Sequence, residues 1–281
     1  MNVKLAMMAS LGLLVVANAV GAQKFQPCSS CHQDLAKAFA QNPHALVAGD
    51  LENESTCVSC HGEGKAHAES GDASQIQVPR GQEGQVVCLS CHGKDEGLWQ
   101  GAPGAHARGG VACASCHRIH DAQDRPLLQG SARTLCAPCH RREVSEFRKP
   151  FAHKMDRGGM ECVSCHNPHG GKGKDSLKET RTGESVCVSC HVDKRGPFVF
   201  EHGTLTGSCL SCHQPHGSNN PKQLIRARVD QLCLECHTGV GNPGVGSQPP
   251  SLHDLRSPRY QNCTTCHVAI HGSASSPMFL R

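Results

Sequence analysis

One stretch of this 281-residue chain is continuously apolar, residues 5–17, broken only by Ser10 and Gly12. Lys4 precedes it, and the small residues Val20, Gly21 and Ala22 follow. A basic start, a short apolar run and a small-residue site read as a secretory signal peptide, residues 1–22, cut after Ala22 with Ala19 as the alternative. The run is too short to span a bilayer comfortably. Beyond it the apolar positions thin out. Helical spacing predicts helices over 34–41, 141–149 and 222–236, and a weaker one over 129–139 that Pro138 bends. No alternating apolar–polar stretch predicts a strand. Residues 61–85, 167–183 and 238–251 are rich in Gly, Ser and Pro and read as loops.

Such a chain is poorly equipped to build its own interior. Aromatic residues are 3% of it, with one Trp and one Tyr. Leu, Ile, Val and Phe supply only about 17% of residues 23–281, below the level at which a chain normally makes a core. Something other than side chains must fill the interior.

The cysteines identify it. There are 20, and all fall in ten Cys-x-x-Cys-His motifs. These are Cys28/Cys31/His32, Cys57/Cys60/His61, Cys88/Cys91/His92, Cys113/Cys116/His117 and Cys136/Cys139/His140. The second five are Cys162/Cys165/His166, Cys187/Cys190/His191, Cys209/Cys212/His213, Cys233/Cys236/His237 and Cys263/Cys266/His267. A disulfide framework or zinc sites would use cysteine pairs too, but neither requires a histidine after every second cysteine. Covalent haem c does: two thiols add to the porphyrin vinyl groups and the adjacent imidazole reaches the iron.

Half of the 20 histidines lie outside the motifs: His44, His67, His106, His120, His153, His169, His202, His216, His253 and His271. One spare histidine per motif predicts a second axial ligand for each iron, hence bis-histidine, low-spin haems. The order motif, histidine, motif, histidine repeats five times. It divides the decahaem region, residues 23–281, into two-haem units 28–87, 88–135, 136–186, 187–232 and 233–281 with no boundary between independent domains. His120, His169 and His216 each follow a motif histidine by three residues. On a helical turn that spacing puts both rings on one side, so each spare ring serves the iron of a neighbouring motif. Spacing leaves the individual pairings open.

The formal charge of +4 describes only the polypeptide. Ten haems bring about twenty propionates, making the oxidised holoprotein about −7 and the reduced one about −17. Nucleic acid is therefore not an expected partner. The fold class expected is a multihaem cytochrome c, mostly irregular with short α-helices and no significant β, an elongated wrapping around a stack of ten haems.

The recurring text is close: His153-KMDRGGMECVSCHNPHGG beside His202-GTLTGSCLSCHQPHGS. It resembles the doubled-CxxCH multihaem cytochromes, and ten motifs behind a signal peptide resemble the MtrA/MtoA/PioA/DmsE-type decahaem c-type cytochromes. The resemblance covers Cys28 to His271, and departs most in the first unit, around His44 and His67. It implies an electron-transfer protein, not an enzyme, located in the periplasm or embedded in an outer-membrane porin. It also implies redox partners: an outer-membrane β-barrel porin, an outer-surface multihaem cytochrome, and a periplasmic or inner-membrane cytochrome at the other end. Such a conduit serves extracellular electron transfer, either metal reduction or iron(II) oxidation. The alternatives are a soluble periplasmic shuttle to a terminal reductase and, further off, a multihaem reductase. A reductase needs an open iron position, and the CxxCK motif of the pentahaem nitrite reductases does not occur here. The motif count predicts that mass spectrometry of the exported protein gives residues 23–281 plus ten covalent haems; eight or fewer at full maturation contradicts the reading.

Overall fold

In a computed structural model of the chain, the described residues are 28–48, 55–95, 98, 104–120, 127–155, 159–171, 173–203, 208–237, 245–246 and 253–280. The expected signal peptide and its cleavage site lie outside them. Among the described residues regular structure is short. The longest helix, Gln85–His92, has 8 residues, and no helix is long and apolar enough to cross a membrane. One parallel pairing, Val245–Gly246 with His253–Asp254, is the sheet. The described residues are thus mostly irregular with short helices and essentially no β, as expected.

Each motif makes one tight turn. The histidine N–H donates to the carbonyl of the first cysteine, as in His32 to Cys28 at 2.9 Å, His166 to Cys162 at 2.9 Å and His267 to Cys263 at 3.0 Å. That turn brings both thiols and the imidazole to one side. Some motifs are α-helical, such as Ser55–His61 and Cys162–Cys165. Others tighten to 3₁₀, such as Cys113–Ser115, Cys209–Ser211 and Cys263–Thr265. In the last of these the Cys266 N–H closes the turn on the Cys263 carbonyl at 3.3 Å, and the Cys266 carbonyl accepts from the Val268 N–H at 3.0 Å.

The helices expected over 34–41 and 141–149 are present as Gln33–Phe39 and Arg141–Glu146. The weaker one is Ala132–Cys136, capped by Ser131, whose hydroxyl accepts from the Thr134 N–H at 3.2 Å; it stops before Pro138. The helix expected over 222–236 is mostly not a helix. Only Val229–Cys233 is α-helical, and Lys222 and Gln223 both have φ of 57°. Their carbonyls are taken by His213 and by the Gln214 N–H, which bends the chain into a loop where periodicity alone suggested a helix. The loop expected over 61–85 also needs correction. It contains the helix Lys65–Ser70, ended by Gly71 at φ 71°, and a 3₁₀ turn Ala73–Gln75 capped by the Asp72 carboxylate. In 167–183 the chain is irregular apart from the 3₁₀ turn Lys174–Ser176. Most of 238–251 lies outside the described residues.

A shared loop follows the second motif of units two to four. Eleven residues after the motif histidine a leucine returns to it, pairing His117 with Leu128, His166 with Leu177 and His213 with Leu224. The residue after that leucine donates to the second motif cysteine, as Lys178 does to Cys165 at 2.8 Å and Ile225 to Cys212 at 3.0 Å. The loop closes through a non-glycine residue at positive φ: Leu127 at 65°, Ser176 at 55° and Gln223 at 57°. Such a conformation costs about 1–3 kcal/mol per residue and persists only where the surroundings impose it.

Each unit is hydrogen-bonded to the next. The Asn42 amide donates to the Ile119 carbonyl, and the Gly104 N–H donates to the His169 carbonyl at 2.9 Å. Phe151 and Ser218 exchange backbone bonds at 3.1 and 2.8 Å, and Phe200 and Ser273 do so at 2.9 Å each way. The crossings are close. A Cβ on Gly217, at φ 149°, would lie 2.1 Å from the Glu146 carbonyl oxygen. Gly272, at φ 143°, packs just as tightly on the Phe198 ring.

The polypeptide does not bury itself. Among the described residues the buried apolar side chains are three alanines, Ala112, Ala132 and Ala152, while Val86, Val111, Val192 and Leu210 are exposed. Buried polar residues outnumber the alanines, and they hold turns: the Asn42 and Asn167 side-chain carbonyls accept from the N–H groups of His44 and His169 at 2.9 and 3.2 Å.

Gly217→Ala therefore forces both an unfavourable φ and a backbone clash, and should cost about 1–3 kcal/mol. Gly183→Ala, at φ 79° with nothing within 4 Å, should cost only its φ penalty, about 1 kcal/mol. Denaturant unfolding of the two haem-loaded variants checks the ranking.

Candidate haem-binding site

The twenty histidines come together in ten pairs, and each pair joins one motif histidine to one spare histidine. In chain order of the motifs, with ring-centroid separations, they are His32–His67 at 6.1 Å, His61–His120 at 5.7 Å, His92–His44 at 5.9 Å, His117–His169 at 5.8 Å and His140–His106 at 5.9 Å. The remainder are His166–His216 at 6.0 Å, His191–His153 at 6.2 Å, His213–His271 at 6.2 Å, His237–His202 at 5.9 Å and His267–His253 at 6.1 Å. Two imidazoles on opposite faces of one metal, each nitrogen about 2 Å from it, have centroids about 6 Å apart. The gap in every pair fits an iron ion. Among the described residues no three His, Cys, Asp or Glu side chains converge as a zinc site requires, and none of the twenty cysteines is in a disulfide. Two ligands and two thiols per site fit a porphyrin, which supplies the other four iron ligands itself.

The pairings obey one rule. The spare histidine before a unit's second motif faces the first motif of the following unit: His44 to His92, His106 to His140, His153 to His191, His202 to His237. The spare histidine after the second motif faces the second motif of the preceding unit: His120 to His61, His169 to His117, His216 to His166, His271 to His213. The first and last of the five units each lack one such neighbour. There His67 turns back to His32 and His253 to His267, each within its own unit.

Hydrogen bonds hold the rings in one tautomer. The Nδ1 atoms of His61, His166, His213 and His267 lie 2.8, 2.9, 2.9 and 2.6 Å from the carbonyls of Gln77, Asp175, Lys222 and Met278. His67, His106 and His153 place Nδ1 at 3.0, 3.0 and 2.8 Å from the carbonyls of Asp72, Pro168 and Pro215. A carbonyl only accepts, so each Nδ1 carries the proton and Nε2 is left as the lone-pair donor to a metal. The bonds from His106 and His153 cross into the next unit at the proline of the CHxPHG text. His216 has a different partner: its Nδ1 lies 3.6 Å from the Glu146 carboxylate. Burial raises the Glu146 pKa, but hydrogen bonds from Gln214 and Lys149 and the nearby positive charge outweigh it and hold the group below the ordinary carboxylate value.

Burial, then the charge of the facing ring, keeps His44, His120, His202 and His216 below the usual imidazole range. His169 is lowered in the same way. Neutral imidazole is the form that binds metal. Burial also pushes the Cys136 and Cys233 thiols up, to about 11 and about 12.

The motif cysteines lie against one another in sequence. Within units, first cysteines meet: Cys88 with Cys113, Cys136 with Cys162, Cys187 with Cys209, Cys233 with Cys263. Between units, second cysteines lie within electrostatic range of each other: Cys60 and Cys91, Cys116 and Cys139, Cys165 and Cys190, Cys212 and Cys236. Each motif from the second to the ninth therefore neighbours the next.

Cys266 is exposed, as are the second cysteines Cys31, Cys60, Cys91, Cys139, Cys190 and Cys236. Cys266 keeps its place in the motif turn beside Cys263 and His267, so the tenth site has the same two thiols and imidazole as the others.

The hydrogen-bonding carbonyls, Glu146 and the cysteine neighbours were not foreseen from sequence. The fixed eleven-residue return to Leu128, Leu177 and Leu224 was the readable sign of the loop that supplies several of the carbonyls.

Paired thiols with an imidazole on each side of the gap define a multihaem c-type cytochrome. The doubled CXXCH motif family matches residues 105–145, 153–196 and 202–242. Each matched segment opens at or just before a spare histidine and closes just past the motif histidine its ring faces, at His140, His191 and His237. The multiheme cytochrome MtrA of Shewanella baltica (strain OS185) is 35% identical over 266 residues, covering 88% of this chain and 77% of that protein. The chain belongs to the MtrA-type multihaem cytochromes, which bind haem c covalently and transfer electrons.

The crossed pairing makes a specific prediction. His169→Ala should open one iron to carbon monoxide in the reduced protein. Adding Cys113→Ala and Cys116→Ala should abolish that binding, and adding Cys162→Ala and Cys165→Ala should not. The opposite result would place His169 on the haem of its own motif.

Proposed function

We propose that the protein carries ten bis-histidine haems and acts as the haem conduit of a porin–cytochrome complex for extracellular electron transfer. The observation that supports this is continuity: motifs neighbour one another in order from the second, Cys57 and Cys60, to the tenth, Cys263 and Cys266, each with a histidine pair across its gap. When bound, haem supplies reversible one-electron exchange at iron. The polypeptide holds each iron between two imidazoles, many of them fixed through Nδ1, which disfavours an open coordination position and so disfavours substrate chemistry.

The twenty motif cysteines are then the thioether anchors, the exposed Cys31 and Cys266 of the terminal motifs included. The ten motif histidines are the proximal ligands and the ten spare histidines the distal ligands. The signal peptide directs the chain to the periplasm, where the remaining residues mature. Terminal motifs differ from interior ones: the first and last take ligands from their own units, so neither waits for a further repeat. Electrons then enter at one end and leave at the other, between a periplasmic or inner-membrane cytochrome and an outer-surface multihaem cytochrome. A β-barrel porin shields the polar wrapping from lipid, since backbone outside helices and closed barrels is not tolerated against hydrocarbon. Either metal reduction or iron(II) oxidation uses such a route.

Liposomes containing the protein with its native porin and an enclosed electron acceptor test this. External reductant should reduce the enclosed acceptor only when both proteins are present. Rapid reduction of a soluble partner with no barrel association would instead identify a periplasmic shuttle.

A further inference from the structure

Four interior pairs follow the backward-crossing rule, and three of them are alike. The rings of His61–His120, His117–His169 and His213–His271 lie within 13°, 13° and 16° of parallel. The fourth, His166–His216, is turned to 42°. It is also the pair in which a carboxylate lies against the spare ring. Glu146 closes the helix Arg141–Glu146, and only 11% of its side chain is exposed. Its Oε2 lies 3.6 Å from His216 Nδ1 and accepts from Gln214 Nε2 at 3.2 Å. Its Oε1 faces Lys149 Nζ at 3.5 Å and Arg142 Nε at 3.9 Å. The cations thus lie on the other oxygen. Phe147 packs on the same imidazole, ring centroids 5.2 Å apart.

Glu143, on the same helix, lies 3.8 Å from His140 Nδ1, but both of those side chains are largely exposed, where solvent weakens the interaction. A buried carboxylate facing Nδ1–H pulls the ring toward imidazolate, makes Nε2 a stronger donor and favours the ferric state. A backbone carbonyl does this less, because it carries no net charge.

We propose that Glu146 is a positioning residue that fixes His216 and sets the haem of Cys162 and Cys165 at a lower potential than its two neighbours in the chain. A lower potential there places an uphill step for the electron in the middle of the array. The inference rests on the bis-histidine reading above and concerns this chain's own side chain.

The test is a spectroscopic redox titration of the haem-loaded protein, wild type against Glu146→Gln. The isosteric amide keeps the packing but loses the charge. The difference between the two curves should integrate to one haem, shifted upward by at least tenfold in its reduction equilibrium, which is about 59 mV for one electron. Lys149→Met, which removes the cation from Oε1 at a partly exposed position, should shift one haem downward. Electron paramagnetic resonance should show both variants still fully low-spin. Superimposable titrations with low-spin iron overturn the proposal while leaving the ligation intact. A shift in both variants of the same sign also overturns it. A stoichiometric high-spin haem in the wild type removes the ligation reading and this proposal with it.

Discussion

The facing of two imidazoles, one from a CxxCH motif and one from another part of the chain, is the constraint on which the rest of this structure depends. A pair held about 6 Å apart leaves room for one ion and nothing larger along that axis. Eight of the ten pairs join different units. A haem held by such a pair is therefore a covalent and coordinate cross-link between units as well as a cofactor. This accounts for a chain whose described buried apolar side chains are three alanines. The interior that a globular protein makes from leucine and phenylalanine is here left for porphyrin, and folding and haem attachment become one process.

The irregular backbone follows from the same constraint. Helices would satisfy backbone groups internally but present no free carbonyl to Nδ1. The loops after His166 and His213 do the reverse. Asp175 and Lys222 accept strained positive φ, and their carbonyls are thereby aimed at a ligand ring. The strain is stored where the imidazole must be oriented. Glycine has a related role at Gly217 and Gly272, where one unit's histidine-bearing segment crosses another with no space for a Cβ. The CHxPHG text thus encodes three things at once: a carbonyl from proline, a ring from histidine, and a close crossing through glycine.

Much of this was legible in the sequence, because the chemistry has a strict local spelling. Ten motifs and ten spare histidines imposed the cofactor, and the three-residue spacing of His169 from His166 excluded the simplest pairing. Which ring meets which depends on loops that run between units, and no periodicity encodes those. The helix expected over 222–236 failed for a more local reason. Its apolar spacing is helical, but the Lys222 and Gln223 carbonyls are claimed by His213 and Gln214 nine residues back, and the loop that holds the ligand ring overrode local propensity. Residues 61–85 erred the other way: Gly71 and Asp72 looked like loop formers but serve as the end of one helix and the cap of the next turn.

The crossing rule also explains how a repeat array of this kind ends. Interior units give one histidine forward and one backward, so each is held from both sides and neighbours are tied in a fixed order. An end unit following the same rule would leave one motif without a second ring and one histidine without a site. His67 and His253 remove both defects by turning inward. That requires longer local loops, and the first unit has them: the helix Lys65–Ser70 and the Asp72-capped turn carry His67 back to His32, with the Asp72 carbonyl holding its Nδ1. The divergence of the first unit from the repeat is therefore the geometry of a terminus. A unit able to close its own haem presents that haem, unshared, at the extremity of the array.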